Sequence, residues 1–187
     1  VTPGNVHDSQ PYLDRLDRQR GRFGFKTKAV GLDAGYFTPH ICKGLPERHI
    51  YGVIGYSRPT HRAGYLRKND YVYDEKLDCY LCPQNQILRY RTTTREGYRE
   101  YVSAPAFCCS CPLLGQCTTS ASCLKVVTRH VWQEYKEEVN SHRYEDKGKA
   151  IYKRRKETVE RSFAEGKELH GHRYARFRGL SRVQMQC

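Results

Sequence analysis

The sequence predicts an α/β fold with a mostly parallel sheet, into which a cysteine-rich, β-prone subdomain is inserted. Three observations lead to this class. Residues 1–57 alternate helical and strand patterns, an order typical of helices packed on a parallel sheet. Residues 58–125 hold seven of the nine cysteines and short aromatic runs separated by charged and turn residues. Residues 126–187 return to helical patterns and are expected to complete the fold that the first segment begins.

The first segment predicts two helices and two short strands. Its first helix is preceded by Asp8 and Ser9, whose side chains can accept hydrogen bonds as helix caps. A buried strand follows at 28–33, because an apolar run there is closed by Asp-Ala-Gly. Thr38 as a cap and Pro39 in the first turn start the second helix, and a second β-prone run ends the segment. The apolar face of the first helix is Tyr12, Leu13 and Leu16. The second helix ends at about Leu45, and the second β-prone run covers residues 51–56.

The two later segments predict different structures. From about Arg58 to Ser122, tyrosines and aliphatic residues are separated by charged residues and turn signals, which favours short antiparallel strands. A helix that carries Trp132 and Tyr135 is predicted over 126–145. A long final helix is predicted over 147–170, and a basic tail follows it.

The charge of the chain favours a polyanionic partner. Its 187 residues carry a formal net charge of +13, and such an excess binds phosphate backbones through charge neutralisation and counterion release. A basic protein with no nucleic-acid role is the alternative. No apolar run is long enough to cross a membrane, and no secretory leader is expected. The start at Val1 and the end at Cys187 predict an internal piece of a longer protein.

The cysteines predict a zinc site. Two sulfurs from each of two turns can make a closed tetrahedral site, and these cysteines lie in one compact stretch. The metal would stabilise a segment with little aliphatic bulk. This usage argues against a disulfide framework, and reduced, partly buried cysteines without metal are the alternative. The preferred ligands are Cys82, Cys108, Cys111 and Cys117, with Cys79 as the main substitute.

Two carboxylates, Asp33 and Glu160, predict metal-dependent chemistry on phosphates. Asp33 ends the first strand, where open α/β sheets place their reactive groups, although an ordinary turn aspartate fits the same pattern. Glu160 shares one helix face with Phe163 and Lys167. Carboxylates of this kind can bind two Mg²⁺ or Mn²⁺ ions for phosphoryl transfer. Because two carboxylates are too few for such a site, a third is expected.

The basic stretch 147–182 predicts a DNA-binding surface. It holds twelve Lys or Arg and four Glu, and Tyr174 and Phe177 could stack on exposed bases. A solvated helix with ion pairs between residues four apart is the alternative. It explains Glu157 with Arg161, but not the tail, whose cations have no acidic neighbours in the sequence. The predicted DNA-binding cations are Arg155, Arg161, Arg173, Arg176 and Arg178.

Three stretches resemble the DDE transposases of bacterial insertion sequences, namely residues 1–9, Gly-Leu-Asp-Ala-Gly-Tyr at 31–36, and 155–174. Arg-Gly-Leu at 178–180 extends the match, and the cysteines resemble a subgroup that carries them between its second and third acidic residues. The resemblance implies a partial ribonuclease-H-like core. In that core Asp33 is the second catalytic aspartate, Glu160 the catalytic glutamate, and Lys167 the lysine expected seven positions after it.

The family signature also places an Arg four positions before the Glu and a Tyr three before that. Lys156 and Lys153 stand at those positions, and Arg155 and Tyr152 each lie one residue away. The resemblance to the signature is therefore only partial.

Two other acidic residues, Glu157 and Asp8, fit the family pattern less well. Glu157 is the rival of Glu160, but its helix face lacks Lys167. The family's first aspartate lies on a strand before the Pro-Gly-Asn segment and has no counterpart here, since Asp8 follows that segment and precedes a helix.

The resemblance implies DNA transposition: metal-dependent hydrolysis at the element's end, then joining of the freed 3′-hydroxyl to target DNA. Double-stranded DNA and a second copy in a homodimer are the implied partners, in the bacterial cytoplasm at the nucleoid. Without the first aspartate, this chain alone is expected to be inactive. The alternatives are a non-catalytic, zinc-dependent DNA-binding module and a metal-dependent nuclease that does not join ends.

Overall fold

The computed structural model describes residues 3–186, and the side chains of all of these but Lys156. The chain divides into two compact units. Unit 1 combines the residues up to Ser57 with those from Glu134 onward, and unit 2 is Arg58–Gln133. In chain order the elements are α1 (Tyr12–Phe23), β1 (Ala29–Leu32), α2 (Pro39–Gly44), β2 (Tyr51–Ile54), β3 (Val72–Asp74), β4 (Cys79–Leu81), β5 (Ile87–Thr93), β6 (Tyr98–Val102), α3 (Pro105–Cys108), α4 (Leu114–Cys117), β7 (Val126–His130), α5 (Gln133–Ser141), α6 (Asp146–Arg155), α7 (Arg161–Glu168) and α8 (Leu180–Gln186).

Unit 1 is built around a two-stranded parallel sheet. β1 and β2 pair in register, with Ala29 opposite Tyr51 and Leu32 opposite Ile54. Helices α1, α2 and α5 supply the rest of a fully apolar core. Both predicted strands and both predicted helices of the first segment are therefore confirmed. The buried residues of this core are Leu13, Leu16, Ile41, Cys42, Leu45, Ile50, Ile54 and Val139.

The two predicted helix caps have different outcomes. Thr38 caps α2 as predicted, because its hydroxyl accepts a hydrogen bond from the Ile41 amide at 3.4 Å. The cap predicted for α1 is wrong, since that helix begins after Pro11 without a side-chain cap. The Ser9 hydroxyl is hydrogen-bonded to the His7 ring at 2.7 Å instead.

Helices α6 and α7 are joined by a π-helical turn, Lys156–Glu160, so the predicted long final helix contains one wide turn. The junction between α5 and α6 is tight at Gly148. An ideal Cβ on this residue would lie 1.7 Å from the His142 carbonyl oxygen, so only glycine fits there. This close approach fixes the direction in which α6 leaves the junction.

Unit 2 is a five-stranded antiparallel sheet in the sequential order β3–β4–β5–β6–β7. The short strands predicted for this segment are confirmed. Its core is largely aromatic and consists of Tyr71, Tyr80, Leu88, Tyr101 and Val127.

The helix predicted over 126–145 is wrong in its first part. Val126–His130 forms β7, which pairs with β6, and the helix α5 begins only at Gln133. Val126, Val127 and Thr128 are β-branched residues that fit a half-buried strand. Unit 2 therefore extends to Gln133, whereas the sequence placed the end of this segment at residue 125. None of the helices in residues 3–186 is both long enough and apolar enough to cross a membrane.

Candidate active site

The two predicted catalytic carboxylates, Asp33 and Glu160, contact the same side chain, Arg155. One terminal nitrogen of Arg155 pairs with Asp33, and the other donates to Glu160 Oε1 at 3.1 Å. The Arg155 side chain is 13% exposed, whereas the carboxylates are 61% and 49% exposed. A mostly buried Arg155 side chain thus holds both carboxylates at one place, while the carboxylates themselves remain accessible to solvent.

The π-helical turn explains how Arg155 reaches Glu160. The two residues are five positions apart, whereas the family signature spaces them by four. A π turn follows an i to i+5 hydrogen-bond pattern, so it accommodates one extra residue within a helix. Tyr152 remains one turn before Arg155, whose guanidinium carbon lies 5.6 Å from the tyrosine ring centre. The wide turn therefore restores the arrangement from which the sequence departs by one residue.

Asp33, Arg155 and Glu160 line an open cleft of about 560 Å³ in unit 1. Phe163 and Lys167 line it too, as their shared helix face with Glu160 predicts. A further acidic residue of this cleft, Glu168, is ion-paired with Arg173. Within residues 3–186, no three His, Cys, Asp or Glu side chains lie close enough together to hold a metal ion.

The part of the chain from residue 81 to 187 matches the family model described as "Transposase DDE domain". This match covers more than half of the chain. The chain belongs to the DDE transposase domain family. The matched part includes Glu160, Lys167 and the four predicted zinc ligands, and Asp33 lies before it. No curated protein and no solved structure matches the chain. Family membership assigns the chain to DNA transposition, with DNA as its partner.

The basic tail of this transposase domain is more strongly paired than its sequence suggests. Arg161 pairs with Glu165 at 3.0 Å and not with Glu157. The prediction that Arg173 has no acidic neighbour is wrong, because Glu168 is its partner. Two tail cations, Arg176 and Arg178, have no carboxylate within ion-pair distance in the described part of the chain. Two exposed rings, Tyr174 and Phe177, accompany them.

The four predicted zinc ligands of the domain line one small cavity in unit 2, namely Cys82, Cys108, Cys111 and Cys117. Two of these sulfurs are already hydrogen-bonded. The Gln86 amide donates to Cys82 Sγ at 3.3 Å, and the Tyr71 hydroxyl lies 3.0 Å from Cys117 Sγ. Burial and the contact with Cys117 raise the pKa of Tyr71, so this hydroxyl stays protonated and can donate to the sulfur.

The other cysteines of unit 2 lie away from this cavity lining. Cys79 is buried on β4, and burial raises the pKa of its thiol. Because a zinc ligand must be a thiolate, this burial makes Cys79 a poor zinc ligand. Cys109 and Cys123 form a disulfide, so the prediction of reduced or metal-bound cysteines is wrong for this pair.

Proposed function

We propose that Asp33 and Glu160 are two carboxylates of a DDE active site that cleaves DNA at the element's end and joins it to target DNA. The observation that carries this proposal is their common contact with Arg155, which brings together two acidic residues from distant parts of the chain. The proposal also fits the mixed α/β architecture. The ribonuclease-H-like core, the inserted status of unit 2 and the homodimer remain predictions.

The cleft suits divalent metal ions in its donor chemistry. Carboxylate oxygens are the hard ligands that Mg²⁺ and Mn²⁺ prefer, and Asp33 and Glu160 leave such oxygens open to solvent. When bound, the ions would activate a water and stabilise the leaving oxygen. Such a site needs a third carboxylate, in the position of the family's first aspartate.

The other side chains of the cleft have supporting roles. Lys167 lies on the same helix face as Glu160 and binds a phosphate of the DNA through its point charge. Arg155 keeps the two carboxylates oriented before the metal ions arrive, and then becomes available to a DNA phosphate. Phe163 closes the cleft on its apolar side.

We further infer that the cavity in unit 2 binds one structural Zn²⁺ through Cys82, Cys108, Cys111 and Cys117. Four thiols around one cavity are the donor set of a closed zinc site, and binding would draw the sulfurs together into a tetrahedron. The hydrogen bonds to Cys82 and Cys117 are of the kind that orient zinc ligands. A non-catalytic zinc module would need no carboxylate pair, and family membership favours the transposase over it.

The decisive experiment compares Asp33→Asn and Glu160→Gln with Glu157→Gln in the complete transposase, on DNA that carries the ends of its element. The first two variants should lower the cleavage rate by a factor of roughly 10³ or more, because metal-assisted charge stabilisation is worth several kcal/mol. DNA binding should be largely retained. Glu157→Gln, with the same charge change outside the cleft lining, should cleave normally.

Two results would contradict this assignment. Cleavage by Glu160→Gln at the normal rate would exclude Glu160 as a catalytic residue. An equal loss of cleavage in Glu157→Gln would mean that cleavage depends on the total charge of this helix and not on the Glu160 carboxylate in particular.

A further inference from the structure

A second cleft of unit 1, of about 500 Å³, is lined by three cations and no acidic side chain. Helix α6 supplies Lys149 and Lys153, which lie four residues apart and therefore on one face. Arg143 comes from the connection between α5 and α6. We call this site the basic cleft; its other polar or small residues are Gly55, Tyr56 and Tyr152.

The cations of the basic cleft are poorly neutralised by the protein. In residues 3–186, neither Arg143 nor Lys153 has a carboxylate within ion-pair distance. Lys149 lies 3.2 Å from Asp146, whose side chain is fully exposed and so screened by water. This contrasts with α7, where Arg161 is paired with Glu165. Three cations in the lining of one cleft, without a carboxylate among the lining residues, favour binding of an anion from outside the protein.

Arg143 is held in place without having its hydrogen-bonding capacity filled. Its guanidinium carbon lies 4.7 Å from the Tyr56 ring centre and 5.1 Å from that of Tyr144. One terminal nitrogen donates to Asn140 Oδ1 at 2.6 Å. Its Nε is buried and has no hydrogen-bond partner among the residues that the structure describes. The terminal nitrogen that donates to Asn140 also donates to the Tyr144 hydroxyl at 3.3 Å. Arg143 is thus a fixed cation in the lining of the cleft, and a guanidinium is a suitable donor for a phosphate oxygen.

A short series of contacting residues lies between the basic cleft and the cleft that contains Asp33 and Glu160. Gly55 follows β2, and its amide donates to the Leu32 carbonyl at 2.9 Å, directly before Asp33. An ideal Cβ at Gly55 would lie 2.6 Å from the Tyr152 hydroxyl oxygen, so this tyrosine packs on the end of the strand. Tyr152 in turn contacts Arg155, which holds the catalytic carboxylates. A polyanion bound at Asp33 could therefore reach the basic cleft by passing Tyr152.

We propose that the basic cleft binds backbone phosphates of the DNA next to the site of cleavage. The inference rests on the proposed function, since it takes the position of the reacting phosphate from Asp33 and Glu160. Contacts of this kind position the duplex and carry no base readout. The cleft therefore contributes affinity equally to element-end and unrelated DNA.

The experiment measures binding of a double-stranded oligonucleotide by fluorescence anisotropy over a range of salt concentrations. The variant Lys149→Gln/Lys153→Gln should bind roughly tenfold more weakly at low salt. The logarithm of its binding constant should also depend less steeply on the logarithm of the salt concentration, with a slope smaller in magnitude by about 2. Arg154→Gln is the matched control, because it removes a cation from the same helix outside both cleft linings. Per charge removed, Arg154→Gln should change the slope by less than half as much as Lys149→Gln/Lys153→Gln does.

A variant at Arg143 needs a second measurement, since this side chain packs on two rings. Arg143→Gln is therefore scored only if its circular dichroism matches the wild type, and it should lower the slope by about 1. If the circular dichroism of Arg143→Gln differs from that of the wild type, the test rests on Lys149→Gln/Lys153→Gln alone. An unchanged slope in Lys149→Gln/Lys153→Gln would overturn the inference, as would an equal loss per charge in Arg154→Gln.

Failure of this inference and failure of the proposed function give different results. If the basic cleft is wrong, the lysine variants bind normally while Glu160→Gln still loses cleavage. If the catalytic assignment is wrong, Glu160→Gln cleaves while the lysine variants still lose affinity. In that case the cleft would be a DNA site but not one next to the cleavage position.

Discussion

The cleft of unit 1 that contains Asp33 and Glu160 and the cysteine cavity of unit 2 take their side chains from the sequence in different ways. The cleft joins Asp33 to Arg155 and Glu160 across most of the chain, and its two carboxylates are largely exposed. The cavity takes its thiols from one stretch, 82–117, and its walls are mainly apolar. An open, charged cleft of about 560 Å³ can admit a polyanion, whereas a space of about 30 Å³ can hold one ion.

This difference separates the two roles that the chemistry of the chain allows. In unit 1 the carboxylates Asp33 and Glu160 are accessible to solvent, so replacing either of them should cost little folding free energy. In unit 2 the sulfurs lie beside the aromatic core of the sheet, where Tyr71 contacts Cys117. Loss of the groups in unit 1 should therefore remove function, and loss of those in unit 2 should remove the fold of the unit.

The largest expected effect is that of removing the zinc ion proposed for unit 2. Chelation, or the variant Cys108→Ser, should abolish stoichiometric zinc and unfold unit 2, because structural zinc is worth about 10 kcal/mol or more of folding free energy. Metal analysis and the near-ultraviolet circular dichroism of the tyrosine core would measure both losses. Unit 1 should keep its helical signal under the same chelation.

The matched variant for that prediction is Cys79→Ala, which removes a thiol of the same strand region outside the cavity lining. It should retain one zinc per chain. Zinc loss in Cys79→Ala, or a folded unit 2 in the metal-free protein, would break the contrast between the two regions.

The next largest effect is a loss of stability at the junction between α5 and α6. Gly148→Ala should destabilise unit 1 by about 3 kcal/mol, because the added methyl group meets the His142 carbonyl oxygen. Gly166→Ala is the control, since nothing lies within 4 Å of its ideal Cβ. In a helix interior that change should stabilise by about 0.5–1 kcal/mol.

Urea denaturation would compare the two glycine variants. Gly148→Ala should also weaken DNA binding, because α6 carries Lys153 and Arg155. Equal stabilities for Gly148→Ala and Gly166→Ala would show that the α5–α6 junction can relax, and that the position of α6 is set elsewhere.

Local patterns were sufficient to predict the elements that stand next to the cleft. An apolar run closed by Asp33 predicted β1, and Thr38 followed by Pro39 predicted the cap of α2. These signals act within a few residues of the chain. The compact spacing of the cysteines likewise predicted the set that lines one cavity, because Cys82 follows β4 whereas Cys79 lies within it.

Features that depend on distant residues were not predictable in this way. The π turn between Arg155 and Glu160 has no signal in the local sequence. The packing of α6 on β1 also joins distant residues, since an ideal Cβ at Gly31 would lie 3.6 Å from the Ile151 carbonyl oxygen. The strand character of 126–130 depends on pairing with β6. The basic cleft was not predicted as a site because Arg143 lies outside the basic stretch 147–182, and only the fold places it in one lining with Lys149 and Lys153 of α6.

The smallest expected effect compares two aspartates, one in each unit. The pKa of Asp78 in unit 2 is lowered, first by the Tyr101 hydroxyl that donates to it at 2.6 Å. The pKa of Asp17 in unit 1 is lowered, first by its hydrogen bond from Arg48. Since both folded-state values lie below the ordinary 3.8, each carboxylate stabilises its unit above about that pH. The stability is lost as the pH falls through the folded-state value.

Asn at either position should flatten the acid limb of the stability curve by less than about 1 kcal/mol, because both carboxylates are partly exposed. Asn also tolerates the positive φ of 43° at Asp78. The two variants should differ in high salt, which screens the Asp17–Arg48 ion pair but not a hydrogen bond from a neutral tyrosine. Calorimetry between about pH 2 and 5, at low and at high salt, would measure this. An equal response to salt would mean that Arg99, 3.5 Å from Asp78, and not Tyr101 sets its titration.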